Sequence, residues 1–162
     1  MSIFGKKTFR SISDFWKELR CLLNARRELR DVLNGTILTE AFRERLFMAV
    51  TSVNRCRYCS FVHTRAALKS GVTAEELKGF LAKEADTVPE SERVAVIYAQ
   101  HWADSGGAPD PEAVKRLNDA YPPEMVSAIN LAIRFINFNN LFGNTVDRIL
   151  HAVSFGLLGG GK

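Results

Sequence analysis

Glu44, Cys56, Cys59 and His63 share one stretch of the chain. The cysteines form Cys-x-x-Cys, the histidine follows four residues after the second, and the glutamate precedes the first by twelve. Thiol redox chemistry needs a thiolate, a group that moves its proton and a third group that orients the mover. If a helix opens at Cys56, then Cys59 and His63 stand one turn apart on the same side. Val62 and Ala66 complete a mostly apolar face around them. A thiol in the first turn of a helix feels the positive end of the macrodipole, which favours thiolate. An imidazole one turn away can take the thiol proton or hold a protonated leaving oxygen. Glu44 lies roughly two to three turns before Asn54 on the preceding helix. Its carboxylate can orient His63 if the two helices pack antiparallel or cross closely.

The same residues admit other readings. Cys56, Cys59 and His63 could supply three zinc ligands, with Glu44 or His101 as the fourth. Structural zinc sites usually draw a second ligand pair at short spacing, and this sequence has none. Ser60 stands where covalent haem attachment requires a histidine. The thioredoxin reading of Cys-x-x-Cys fails for want of a strand–helix–strand unit. Glu44 alone, flanked by Arg43 and Arg45, would pass for a surface carboxylate. Together the four residues favour redox chemistry, with no metal and no cofactor. The competing class is a non-enzymatic helical module whose cysteine pair senses redox state or holds zinc.

The elements that must position these residues are helices. Apolar residues recur at three- and four-residue steps and nowhere alternate for long, which predicts an all-α fold of about seven helices. The first spans about Ser13 to Asn34 and ends at Gly35. The second, from near Thr39, buries Phe42, Leu46, Ala49, Val50 and Val53 before a break at Asn54-Arg55. The third opens at the cysteine pair and stops at Gly71. Thr73 with Glu76 makes a capping box for the fourth. A fifth carries Val94, Ile97, Tyr98 and Trp102 and closes at Gly106-Gly107. Asp110 and Pro111 start the sixth, and Pro122-Pro123 opens a long seventh from Glu124 to about His151. The domain plan is a flexible basic segment over 1–12, one helical domain over 13–152 and a flexible Gly-rich tail over 153–162.

At 162 residues the chain is long enough to bury one sizeable core. Its net charge of +4 comes from scattered basic residues, so nucleic acid is not an expected partner. Met1 to Arg10 lacks the apolar region of a signal peptide. Asn130, Arg134, Asn137, Asn139 and Asn140 interrupt the most apolar stretch, Met125 to Phe142, which reads as a core helix and not a bilayer span. Three cysteines do not make a secreted disulfide framework, and a cytoplasmic location is expected.

The run Arg43-Glu44-Arg45-Leu46-Phe47-Met48-Ala49-Val50-Thr51-Ser52-Val53-Asn54-Arg55-Cys56-Arg57-Tyr58-Cys59-Ser60-Phe61-Val62-His63 resembles the motif of the AhpD-like alkylhydroperoxidases, in the carboxymuconolactone decarboxylase superfamily. Gly71-Val72-Thr73-Ala74-Glu75-Glu76, Glu92-Arg93 and Asn137-Phe138-Asn139-Asn140 extend the likeness over roughly Leu38 to Leu150. The resemblance implies an AhpD-like helical bundle that forms homo-oligomers, commonly trimers or hexamers. It makes Cys59 the peroxidatic thiol, which attacks a hydroperoxide or another small electrophile. Cys56 is then the resolving thiol, His63 and Glu44 the proton relay, and an external dithiol the reductant. One departure is plain: Tyr58 stands where the best-studied type of member has a second histidine, so its proton relay must differ. A lactone decarboxylase is expected to lack the cysteine pair.

Other polar residues receive structural roles. Cys21 reads as an ordinary free thiol, His101 as a hydrogen-bonded core histidine and His151 as a last-turn cation. Asn130, Arg134 and Asn137, with Asn140 and Asn144 beside them, form polar lines on an apolar helix. Buried groups of that kind need partners, so they belong to an internal network or a subunit interface.

Overall fold

Side-chain caps fix most of the helix starts in the computed structural model, which describes residues 5–82, 85–155, 157 and 159. The Ser11 hydroxyl accepts from the Asp14 N–H and opens α1 (Ile12–Asn24). The helix α2 (Arg26–Leu33) follows at once. Thr39 caps α3 (Glu40–Asn54), and Cys56 caps α4 (Arg57–Lys69). The Thr73–Glu76 capping box is reciprocal: Thr73 N–H donates to Glu76 at 2.8 Å and Glu76 N–H to Thr73 at 3.1 Å, starting α5 (Ala74–Ala82). After α6 (Glu90–Asp104), Asp110 and Pro111 open α7 (Pro111–Ala120), and Pro123 begins α8 (Pro123–Val153). The fold is all-α, with eight helices and no strand among the described residues.

The extra helix comes from a break in the stretch expected as one helix from Ser13 to Asn34. Ala25 leaves helical geometry at φ −93° and ψ 22°. The break turns the chain so that Leu22 of α1 and Val32 of α2 are both buried, and both segments pack on α8. No glycine or proline marks the spot, so tertiary packing decides it.

The third helix is the centre of the molecule. It touches α2, α4, α5, α6 and α8, and eleven of its fifteen residues are buried. Five of these, Phe42, Leu46, Ala49, Val50 and Val53, are the apolar set the periodicity predicts. Arg45 and Glu44 are buried too, and they leave the helix on different sides. Arg45 bonds Glu76 of α5 at 2.6 Å and Glu92 of α6 at 3.0 Å, tying three helices together. Burial alone would push Glu76 up, but the Arg45 bond, the Thr73 N–H and the Arg45 charge outweigh it. The carboxyl sits below its ordinary range. Glu92 is pushed above that range by burial, which Arg45 only partly offsets.

Of the ends expected to be flexible, residues 1–4, 156, 158 and 160–162 lie outside the described residues. Residues 5–10 make specific contacts with the body. Lys7 N–H donates to the Asn54 carbonyl at 3.3 Å, and Phe9 packs edge-on to Phe15 and Phe138. Lys6 pairs with Asp147 of α8. No helix among the described residues is long and apolar enough to cross a membrane.

Candidate functional site

Glu44 is 3% exposed, buried by its place on the central helix α3. It meets His63 across the α3–α4 packing, with Oε2 at 2.8 Å from Nδ1. Its other oxygen lies 3.4 Å from Arg43, whose guanidinium also donates to the Leu33 carbonyl. An ionised carboxylate only accepts, so it holds the proton on Nδ1 and leaves Nε2 as the basic nitrogen. The Phe47 ring stands edge-on to the imidazole with centroids 5.0 Å apart, which fixes the ring plane. A glutamate that passes for a surface charge in the sequence is therefore a buried carboxylate bonded to His63.

Cys56 and Cys59 lie at disulfide distance, with Cα atoms 5.3 Å apart. Cys56 is the N-cap of α4, and its sulfur accepts from the Cys59 N–H at 3.3 Å. Cys59 follows in the first turn, where the helix dipole favours thiolate. His63 is one turn further along α4, on the Cys59 side. Tyr58, the departure from the family pattern, is 76% exposed and forms part of a cleft beside Cys56. The four residues singled out by type and spacing thus occupy two packed helices and the cap between them.

What holds the cysteine turn in place comes from far along the chain. Arg55 adopts the left-handed conformation (φ 57°, ψ 40°) and turns the backbone from α3 into α4. The preceding Asn54 is fully buried. Its amide donates to Asn137 at 2.8 Å and Asn140 at 3.3 Å, and its carbonyl accepts from Asn144 at 2.9 Å. Asn140 also donates to Thr51, and Asn144 to the Lys7 carbonyl. The asparagine line of α8 is therefore an internal network that grips the end of α3 just before Cys56. Asn130 belongs to a separate bond: it accepts from the Tyr98 hydroxyl at 2.9 Å, and burial pushes that hydroxyl above its ordinary range.

The sequence alone shows Asn54 as a mere helix breaker and does not single out Gly143, whose missing side chain faces the Cys56 sulfur. An isolated glycine inside an apolar helix was the available signal for the second. His101 needs correction. It is hydrogen-bonded, 2.8 Å from Asp110, but it lies partly exposed on the α6 edge beside Ile97 and not in the core. The buried face of α6 runs instead through Ala95, Val96, Ala99 and Trp102. Cys21 is a free thiol contacted by Arg134 at 3.4 Å. Among the described residues no group of three or more His, Cys, Asp or Glu side chains is arranged to hold a metal ion.

Residues 22–100, which include the whole of α3 and α4, match the model of the carboxymuconolactone decarboxylase family. Neither the curated proteins nor the solved structures include a match to the chain.

Proposed function

We propose, from the match of residues 22–100 to the carboxymuconolactone decarboxylase family, a thiol-dependent peroxidase of the alkylhydroperoxidase type. The observation that carries this reading is the bond from buried Glu44 to half-buried His63, which sits one turn from Cys59 on α4. Nε2 of His63 takes the Cys59 proton. The thiolate attacks a hydroperoxide oxygen, so that an S–O bond forms as the O–O bond breaks. The proton held by the imidazole leaves with the alkoxide as alcohol. Cys56 then attacks the sulfenic sulfur, water departs, and a Cys56–Cys59 disulfide remains. An external dithiol returns the pair to thiols.

The test is stoichiometric. Each chain treated with one equivalent of hydroperoxide loses two thiols and gains an intramolecular disulfide by mass spectrometry. Reaction of Cys59→Ser at the native rate would overturn the assignment.

Two further expectations remain part of the proposal: a cytoplasmic setting, where thiols stay reduced, and a homo-oligomer such as a trimer or hexamer. Support for the oligomer is the exposed apolar row Phe142, Val146, Ile149, Leu150 and Val153 along the second half of α8. Sedimentation equilibrium decides it, and a monomer at micromolar concentration counts against it.

A further inference from the structure

We propose that the reducing dithiol attacks the disulfide at Cys56, entering through the cleft against α8, and that Gly143 sets the size of donor admitted. The proposal deepens the redox reading above and rests on it. Cys56 and Cys59 are 2% and 5% exposed, so an incoming sulfur must use an opening in the surface. A cleft of about 370 Å³ lies beside the cap of α4, and Cys56 forms part of its wall, whereas Cys59 and His63 do not. Arg57, Tyr58 and Phe61 border it on the α4 side. Gly143 borders it on the α8 side, and a Cβ added there would lie 3.4 Å from the Cys56 sulfur.

A glycine in the interior of a long helix is unfavourable against alanine, so its presence here asks for a reason at the site. The empty space beside the sulfur supplies one. The cleft also suits an anionic nucleophile. Lys6 is engaged by Asp147, and the Arg57 charge and the N-terminus of α4 remain to favour an approaching thiolate.

One donor thiolate bonds to the Cys56 sulfur as the Cys56–Cys59 bond breaks, and Cys59 leaves as thiolate. The second donor thiolate attacks the donor sulfur of the mixed disulfide, expelling Cys56 as thiolate and closing the donor's own disulfide. Two electrons pass to the protein, and the two donor protons go to solvent or to the freed thiolates. Attack at Cys56 makes Cys59 the leaving group, and the first turn of α4 stabilises it in the charge state needed for the next peroxide.

The experiment starts from protein oxidised with diamide, so it runs whether or not hydroperoxide oxidises the pair. Failure of the peroxidase reading and failure of this one are therefore separable. The native disulfide is treated with 2-mercaptoethanol and quenched within milliseconds by acid, then alkylated and mapped by peptide mass spectrometry. The expected product carries the mercaptoethanol on Cys56 and the alkyl group on Cys59, and the reverse distribution overturns the site of attack. In parallel, Gly143→Ala is reduced with dithiothreitol and with the smaller hydrosulfide ion. Crowding should slow the dithiol about tenfold more than hydrosulfide. Equal slowing of both, or none, overturns the role of Gly143. Should the variant fail to fold, the mapping on the native chain still decides where the donor attacks.

Discussion

The Nδ1 of His63 and the Oε2 of Glu44 stand 2.8 Å apart across the interface of α3 and α4, although nineteen residues separate them. Neither side chain can satisfy the other in an isolated helix, so the bond reports the helix packing as much as the chemistry. An ionised carboxylate there favours the tautomer with its proton on Nδ1.

Glu44→Gln presents an amide that can donate to Nδ1 and so release the tautomer. Thiol loss on addition of hydroperoxide should slow about 10- to 100-fold, and His63→Ala should slow it by about 100-fold or more, the usual range for a positioned acid–base group. Single-turnover stopped-flow with thiol quantitation measures both. Equal native rates for the two variants would remove the relay from the mechanism.

Asn140→Ala removes one of the two acceptors of the buried Asn54 amide and the donor to the buried Thr51 hydroxyl. The cost should be about 1–3 kcal/mol, the penalty for leaving buried polar groups unpaired. Urea unfolding would show it as a lower midpoint with unchanged slope. Because the same bonds fix the backbone before Cys56, hydrogen exchange at Arg55 and Cys56 should quicken as well.

Acid should loosen the Arg45 cluster in a defined direction. The folded Glu76 carboxyl lies below its ordinary 4.5, so its contribution is complete above that value and is lost as pH falls through the lower folded value. Glu92, raised by burial, contributes in the opposite sense: its part is present below the ordinary 4.5 and is lost as pH rises through its folded value. Glu76→Gln should therefore be less stable than the native chain at pH 7 and converge with it in strong acid. Thermal melts across pH 2–7 give the comparison, and a gap that stays constant with pH contradicts it.

Gly107 ends α6 with φ +87° and its N–H on the Trp102 carbonyl at 2.9 Å, the six-to-one bond of a Schellman cap. Gly107→Ala carries a left-handed penalty of about 1–2 kcal/mol. It also puts a methyl carbon 3.2 Å from the Trp102 ring. Thermal unfolding should show a clear loss, and a melt at the native temperature would mean the turn relaxes without cost.

Much of this fold is legible where the signal is local. Thr73 with Glu76, Asp110 with Pro111, and Gly106-Gly107 mark helix ends because each satisfies backbone groups within a few residues. The Glu44–His63 spacing is legible as a site, since residue types and helical period restrict what can face what. The break at Ala25 is not legible: nothing in Asn24-Ala25 forbids a helix, and only packing on α8 favours the turn. The grip of Asn137, Asn140 and Asn144 on Asn54 is legible as a demand for partners but not as a pairing, because those partners lie more than eighty residues apart. His101 misleads because α6 has a half-buried edge that period alone does not separate from its core face.

The burial of α3 on nearly every side has a bearing on how this sequence can drift. A helix with a solvent face absorbs neutral changes there, but eleven of the fifteen α3 residues have no such outlet. A saturation library should show α3 as the least permissive stretch, intolerant even at Thr51 and Met48, while exposed positions of α1, α2 and α7 accept most polar exchanges. Distant homologues would then keep α3 and α4 recognisable after the outer helices had diverged beyond alignment.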